Sequence, residues 1–204
     1  MIGFRVSWPA GGRKRHCGIV LVLALIFLLL STLLATGAVS QALLQERMAG
    51  GQRQAQMAAM AAESALHGAE WRLWKGAAMG ALHCGSVPIV DCQVYDPMHP
   101  NAWAHAFRHE ALWLVEGATE YRGSDGRRDF TTLVGIGLSD DARKTAVLAK
   151  NPLYLIEDLG PLWPANAGTT GRVDGHVYRI TARATGGDGY GVHIAESVVA
   201  VGGD

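Results

Sequence analysis

The sequence predicts an α+β fold: a long N-terminal helix, with a membrane half and an amphipathic half, packed on a C-terminal antiparallel β-sheet. Three observations predict it. An apolar segment without charged side chains follows a short basic leader. A proline-free stretch of good helix formers continues from that segment. The end of the chain contains short strand-like segments separated by glycine-rich turns.

The charges are unevenly distributed along the 204 residues, although 18 Lys plus Arg balance 18 Asp plus Glu. Residues 1–18 contain four basic side chains and no acid, and residues 19–45 contain no charge. Residues 46–204 therefore carry 14 basic and 18 acidic groups. This mildly acidic part is not typical of a nucleic-acid-binding surface, so no nucleic-acid partner is predicted.

Residues 19–39 form the predicted membrane segment. At about 1.5 Å per residue they span ~31 Å as a helix, close to the ~30 Å hydrocarbon thickness of a bilayer. The basic leader predicts a cytoplasmic N-terminus, with the rest of the chain beyond the membrane. A secretory signal peptide cleaved near Ser40–Ala42 is the alternative, but the segment is long for one and the helical pattern continues past it.

The amphipathic half of the helix is predicted over residues 40–75. Ala, Gln, Met, Leu, Glu and Arg dominate it, and Gly50-Gly51 costs about 1 kcal/mol per glycine relative to alanine. Its small side chains would let a partner surface approach closely. The predicted packing stripe has helical spacing and comprises Leu44, Met48, Ala55, Ala59, Ala62, Leu66, Ala69 and Leu73.

The N-terminal arrangement resembles a type IV prepilin. A basic leader ends in Gly18, and the apolar run starts at Ile19. The resemblance implies that a prepilin peptidase cuts after Gly18 on the cytoplasmic face and that the new amine of Ile19 is methylated. Glycine before an apolar run is weak evidence alone, because about one residue in fourteen is glycine.

Four further segments resemble PilX-type minor pilins, and they lie at both ends of the chain. The resemblance implies a pilin-like fold with a leader over residues 1–18 and a periplasmic globular domain over residues 76–204. The matching segments are Leu43–Gly50, Ala61–Leu66 with Ala69-Glu70, Tyr154–Gly160 and Tyr178–Arg183.

Leu23 occupies the fifth position after the predicted cleavage site, where the resemblance implies a glutamate in major pilins. A carboxylate in lipid is costly, by ~2.5–3.5 kcal/mol on insertion scales. The resemblance implies that, in the filament, this carboxylate neutralises the amino terminus of a neighbouring subunit. A subunit with no neighbour above it has no amine to meet, so Leu23 favours a tip or initiating position. The alternative is that Leu23 is ordinary membrane filler.

The C-terminal domain is predicted to combine short helices and strands. Asn101 is a candidate N-cap for one helix, and a second is predicted over Ser139–Lys150. The link Thr185–Gly191 suits a hairpin turn. The strand candidates are Phe130–Ile136, Leu153–Asp158, Val177–Ala184 and Val192–Val201.

The three cysteines divide by compartment. Cys17 precedes the membrane segment, whereas Cys84 and Cys92 lie beyond it, where an oxidising periplasm favours disulfides. A bridge between them would stabilise the domain by ~2.5 kcal/mol in the chain-entropy model. Metal binding with His83 is the alternative, but the spacing does not match a zinc knuckle.

No enzyme motif is found, and neither a cofactor nor a metal is predicted. His105 and His109 share a helical face and could bind a metal with Glu110 or His99. The segment reads HAFRH and lacks the general base of an HExxH protease, so solvated histidines are favoured.

Two other residue pairs have structural interpretations. Glu63 and Glu70 share a helical face, which favours a solvated or intersubunit salt-bridge role over catalysis. Trp71 and Trp74 are predicted to anchor the helix on the sheet.

These features lead to the hypothesis of a minor pilin that primes or promotes type IV pilus assembly at the tip. The resemblance implies other minor pilins, the major pilin and prepilin peptidase as partners. It also implies an inner-membrane location before entry into the pilus. A minor pseudopilin of a type II secretion system and a single-pass periplasmic enzyme or metal-binding protein are the alternatives.

Overall fold

The computed structural model divides into two compact units, residues 1–49 and 50–204. The described part of the first unit is helical, and the second contains the sheet. Most of the leader and most of the helix predicted after Ser139 lie outside the described residues. Those described are 17–78, 84, 92–133, 139, 146–162 and 175–202.

Helix α1 spans Cys17–Ala77 and confirms the predicted long helix. It continues through Gly37, Gly50 and Gly51, and no atom lies within 4 Å of the place where a Cβ would stand at any of them. The chain was expected to leave the helix at Gly76, which instead lies in its last turn. Frayed helix ends commonly differ by a residue or two.

The two threonine hydroxyls in the apolar part of α1 donate to backbone carbonyls of the helix itself. Thr32 Oγ1 donates to the Leu29 carbonyl at 2.8 Å, and Thr36 Oγ1 donates to the Leu33 carbonyl at 2.9 Å. Such bonds are the expected way for hydroxyls to be tolerated in lipid. All side chains from Gly18 to Ala49 are exposed.

A five-stranded sheet forms the centre of the second unit, with the order β1-β3-β4-β5 and β2 also paired with β3. The pairs β2–β3, β3–β4 and β4–β5 are antiparallel as predicted, but β1 runs parallel to β3. A parallel pair requires a long connection, and residues 95–152 supply it. The strands are β1 Cys92–Val94, β2 Thr119–Glu120, β3 Leu153–Pro161, β4 Gly175–Thr185 and β5 Val192–Gly202.

The predicted hairpin joins β4 and β5, with Thr185 opposite Val192. Gly189 in the turn has φ +73°, a conformation that glycine adopts at low cost. Gln54 Oε1 on α1 accepts the Gly187 N–H at 2.6 Å and the Asp188 N–H at 3.3 Å. The tip of the hairpin is therefore fastened to the helix.

One face of α1 packs on the sheet, as predicted, but the buried stripe is broader and begins later. Leu44, Met48 and Ala55 are exposed, and the first buried residue of the helix is Ala58. Alanines outside the predicted stripe are also buried. The helix residues of the two clusters against the sheet are Ala61, Ala62, Ala65, Leu66, Ala69, Leu73 and Ala77.

The second helix, α2, spans Ala102–His109 and covers the other face of the sheet. As predicted, Asn101 caps it, its side-chain oxygen accepting the Trp103 N–H at 3.2 Å. Ala104 and Phe107 pack on Leu153 and Leu155. Strand β3 is therefore buried on both faces.

The strand predicted over Phe130–Ile136 is not found in its described part. Residues 130–132 form a turn in which Asp129 Oδ1 accepts the N–H of Thr131 at 2.9 Å. Leu133 has φ 49°. Local bonding by aspartate competes with strand pairing, which explains the error. Residues 134–136 lie outside the described residues.

Candidate functional site

The predicted cleavage junction lies in the first turn of α1, which begins at Cys17. Ile19 is 64% exposed. No atom lies within 4 Å of the place where a Cβ would stand at Gly18, so packing does not require glycine there. Residues 1–16 lie outside the described residues, and cleavage remains a prediction.

The apolar segment after the junction has an exposed surface on all sides. Of the helices in the described part of the chain, α1 is long and apolar enough to cross a membrane. Leu23 is 59% exposed and belongs to this surface. Leucine offers neither a charge nor a hydrogen bond to an amine, so the interpretation of Leu23 depends on what surrounds the helix.

Cys84 and Cys92 form a disulfide in the structure, with Cα atoms 5.5 Å apart. Cys92 is the first residue of β1 and pairs with Ile156 of β3. On the other side of the bridge, the Cys84 N–H donates to Asp158 Oδ2 at 3.2 Å. The disulfide therefore fastens the segment after α1 to the central strand.

Asp158 is a buried carboxylate with several partners. It accepts the Gly160 N–H at 2.9 Å and lies 2.9 Å from His176 Nδ1. Burial, and then the charge of Asp158, raise the pKa of Tyr178 well above its usual value. The carboxylate therefore joins β3 to β4 and to the segment that carries Cys84.

A buried ion cluster joins α2 to the sheet, and the sequence analysis missed it. Arg108 donates to Glu157 at 2.7 Å, and Arg179 lies 3.7 Å from the same carboxylate. The side chains of Arg108 and Glu157 are 9% and 4% exposed. The available signal was an acid inside an apolar strand, since a charge is almost never fully buried unless paired.

Arg183 is a second buried cation on that face. Its guanidinium lies 5.1 Å from the ring centroid of Phe107, and its Nη2 donates to the Glu110 carbonyl. Burial lowers the pKa of Arg183, against a smaller opposing effect of the Glu110 charge. Its Nε and Nη1 have no hydrogen-bond partner among the described residues.

The histidine pair on α2 is confirmed as a pair on one face. The rings of His105 and His109 have centroids 4.6 Å apart, and both side chains are exposed. His99 instead lies 3.1 Å from Asp96. Within the described residues no group of three or more metal-ligating side chains occurs. His83 lies outside them.

Glu70 makes contacts with the sheet that Glu63 lacks. Ser197 of β5 donates to it at 2.7 Å, and His67 lies 2.9 Å away. Burial alone would raise the pKa of Glu70, but the bonds from Ser197 and His67 outweigh it and lower the pKa. Glu63 is exposed.

The prediction that Trp71 and Trp74 anchor the helix on the sheet is wrong. They are 50% and 57% exposed. The alanine-rich face of α1 meets the sheet instead, because small side chains allow close approach. Trp71 lies beneath the Lys75 ammonium, 5.0 Å from the ring centroid.

Family comparisons agree with the resemblance at both ends of the chain. The PilX N-terminal family model matches residues 18–67, a range that starts at Gly18. The model described as type IV pilus assembly protein PilX C-term matches residues 88–201, more than half of the chain. No curated protein and no solved structure matches the chain. The chain therefore belongs to the PilX family of type IV pilus assembly proteins.

Proposed function

We propose that this protein is a minor pilin that primes or promotes type IV pilus assembly, in a tip or initiation complex with other minor pilins. One observation carries the proposal: the exposed apolar helix of a PilX-family chain has Leu23 where a shaft subunit would use a carboxylate. An amine buried in an apolar core without a counter-charge is costly. A chain lacking that carboxylate is therefore disfavoured at a filament position below another subunit, because it cannot neutralise that subunit's amine.

The four segments have separate roles in this proposal. Residues 1–18 are a leader that prepilin peptidase removes, and the amine of Ile19 is then methylated. Residues 19–39 hold the precursor in the inner membrane and later enter the filament core. Residues 40–75 and 76–204 form the amphipathic half of the helix and the periplasmic domain.

Assembly exchanges one apolar environment for another. The side chains from Ile19 to Val39 contact lipid before assembly and neighbouring helices afterwards. Because lipid and the filament core are both apolar, the exchange can be reversible, and close packing supplies the driving force. The partners are the other minor pilins and the major pilin. The role is structural rather than enzymatic, in keeping with the PilX family.

Leader processing is the first test. The wild-type mature chain is expected to begin at Ile19, and Gly18→Leu is expected to leave the precursor uncut in the inner membrane. Intact mass measurement on membrane-extracted protein distinguishes the two forms. A mature start near residues 41–43, or a retained leader in cells with active prepilin peptidase, would contradict the proposal.

Position in the filament is the second test. Low copy number and loss of piliation on deletion are expected, and Leu23→Glu is expected to increase incorporation along the shaft. Immunogold labelling and mass-spectrometric counting in sheared pili measure both. Wild-type protein spread through the shaft at levels near those of the major pilin would contradict the argument from Leu23.

The type II secretion pseudopilus remains the second candidate, since its assembly uses the same physics. The PilX family match favours the pilus. Deletion that abolishes secretion and leaves piliation intact would favour the pseudopilus.

A further inference from the structure

The exposed side of α2 carries two histidines one helical turn apart. His105 and His109 are four residues apart and therefore share a face of the helix. Both side chains are exposed, and their ring centroids lie 4.6 Å apart. Ala104 and Phe107 lie on the buried side of the same helix and pack on the sheet. The pair therefore faces solvent from a helix whose other side is fixed.

The nitrogens of these two rings are available, in contrast to those of other histidines in the described part of the chain. His67, His99 and His176 each place Nδ1 within 3.1 Å of a carboxylate oxygen. Neither His105 nor His109 makes a hydrogen bond or an ion pair with another described residue. Their closest polar neighbours are each other, so both rings are free to accept a ligand.

Helix α2 is held at both ends, which limits how far the two histidines can move apart. Asn101 caps its start, accepting the N–H of the third residue of the cap at 3.2 Å. Near its end, Arg108 donates to buried Glu157 at 2.7 Å, and the Glu110 carbonyl accepts from Arg183. Two ligands on a backbone that is already fixed lose less conformational freedom when they bind, which favours binding.

The separation of the two rings suits a single metal ion. Nitrogen atoms that share one metal at ~2.0–2.1 Å lie ~3 Å apart. Exposed imidazoles with centroids 4.6 Å apart reach that separation by rotation about their side-chain bonds. Two zinc-binding histidines of the HExxH motif have the same i, i+4 spacing, so a helix permits this geometry.

The donor atoms decide which ions the pair can take. Imidazole suits copper, nickel and zinc, whereas magnesium and calcium require oxygen ligands. Among these divalent ions copper binds a nitrogen site most tightly. No group of three or more metal-ligating side chains occurs in the described part of the chain. An ion bound here would therefore have two imidazole ligands, with water in its remaining positions.

We infer that His105 and His109 form a surface chelating site for one divalent late transition-metal ion, with copper preferred over nickel and zinc. The site is open to water, so the ion exchanges with solvent. It has no part in holding the fold, because the capping and ion-pair contacts of α2 form without it. The inference is independent of the proposed function, and its failure leaves that proposal unchanged.

Metal titration of the purified full chain tests this site. The chain is solubilised in detergent without a histidine tag, and Cys17 is alkylated so that its thiol does not bind copper. In isothermal titration calorimetry we expect one Cu²⁺ per chain, weaker binding of Ni²⁺ and Zn²⁺, and no measurable binding of Mg²⁺. Mg²⁺ binding as tight as that of Cu²⁺ would contradict an imidazole site.

Single substitutions identify the ligands. His105→Gln and His109→Gln should each weaken Cu²⁺ binding by about a hundredfold, because a single imidazole cannot chelate. His99→Gln and His193→Gln remove exposed histidines elsewhere and should leave the affinity unchanged. All four side chains are exposed, so the metal-free variants should melt close to the wild type. Equal losses of affinity in all four variants would overturn the inference.

Electron paramagnetic resonance of the Cu²⁺-loaded chain reports the ligands directly. We expect nitrogen couplings from two imidazoles in the wild type and from one in either His105→Gln or His109→Gln. A wild-type signal from a single imidazole would contradict the chelating pair. Cu²⁺ that binds with undiminished affinity when both histidines are replaced would be an adventitious ion only, and would also overturn the inference.

Discussion

The two halves of α1 share one backbone conformation and differ in what their side chains meet. In the membrane half, from Ile19 to Val39, every side chain is exposed, although most are apolar. From Ala58 to Ala77 one face is buried beneath the sheet. The first half has apolar residues all round and the second has a stripe. The difference shows that a helix apolar on every side needs a uniform apolar environment, whereas an amphipathic helix needs one partner surface.

The comparison also explains the choice of small residues in the second half. Tyr178 and Ile180 of the sheet belong to the buried cluster between α1 and the sheet. Ala65 and Ala69 of α1 belong to the same cluster, and both are 0% exposed. Alanine keeps the helix close to the sheet, so the larger sheet residues fill the space. In the first half, the exposed leucines and valines provide a large apolar contact surface, either for lipid or for neighbouring helices.

The largest expected effect comes from breaking the ion cluster that holds α2 over the sheet. Arg108→Ala removes the closest partner of buried Glu157 and should lower the free energy of unfolding by about 3–5 kcal/mol. Arg122→Ala is the control, since its pair with Glu120 is exposed and should contribute nothing measurable. Thermal unfolding of the detergent-solubilised chain measures both. Equal losses of stability for Arg108→Ala and Arg122→Ala would contradict the claim that the buried pair contributes more than the exposed one.

The disulfide should rank next. Cys84→Ser should lower the free energy of unfolding by ~2.5 kcal/mol and reduce the steady-state level of the protein. Cys17→Ser, in the segment before the membrane, serves as the control and should change neither. Non-reducing peptide mapping of periplasm-exposed material is the direct measurement. Two free, alkylatable thiols at Cys84 and Cys92 in wild-type protein would refute the bridge.

A third prediction contrasts the two halves of α1 directly. Ala69→Leu inserts a larger side chain between α1 and the sheet and should cost about 1–3 kcal/mol. Ala35→Leu makes the same change in the exposed first half and should leave the unfolding transition of the domain unchanged. A drop of ~2–4 °C in the melting temperature per kcal/mol is expected for a chain of this size. Similar shifts in melting temperature for both variants would contradict the distinction between a packed second half and an exposed first half of α1.

The smallest effect concerns Glu70, which ties the helix to the edge of the sheet. Its pKa is lower in the folded state than in the unfolded chain, so its stabilising contribution is present above the unfolded pKa. The contribution is lost as the pH falls through the folded pKa. Ser197→Ala should therefore reduce the loss of melting temperature between about pH 6 and about pH 3. A pH dependence identical to that of the wild type would argue against the bond.

Local sequence patterns predicted the secondary-structure elements that depend on only a few neighbouring residues. The long helix, the Asn101 cap and the strands β3, β4 and β5 are present, with bounds that differ by at most three residues. Capping and alternation act over a few residues, so they can be read along the chain. The pairing of Cys84 with Cys92 was also accessible, because few residues separate them.

Longer-range features required the tertiary structure. The parallel pairing of β1 with β3 depends on the path of residues 95–152, which no local pattern describes. The salt bridge from Arg108 to Glu157 joins residues far apart in the chain. An acid inside an apolar strand indicated a buried pair, but nothing local identified Arg108, 49 positions away, as its partner.

The sequence by itself determined that α1 forms, that its first half is apolar on all sides, and that its second half has a face suited to packing. Only the tertiary structure decided how broad the buried face is and that Trp71 and Trp74 lie outside it. Apolar residues lie on both sides of residues 58–77, and hydrophobicity alone favoured burying Trp71 and Trp74. The sheet instead selected the alanine face, because small side chains allow close approach over many contacts. The two tryptophans are exposed as a consequence of that choice.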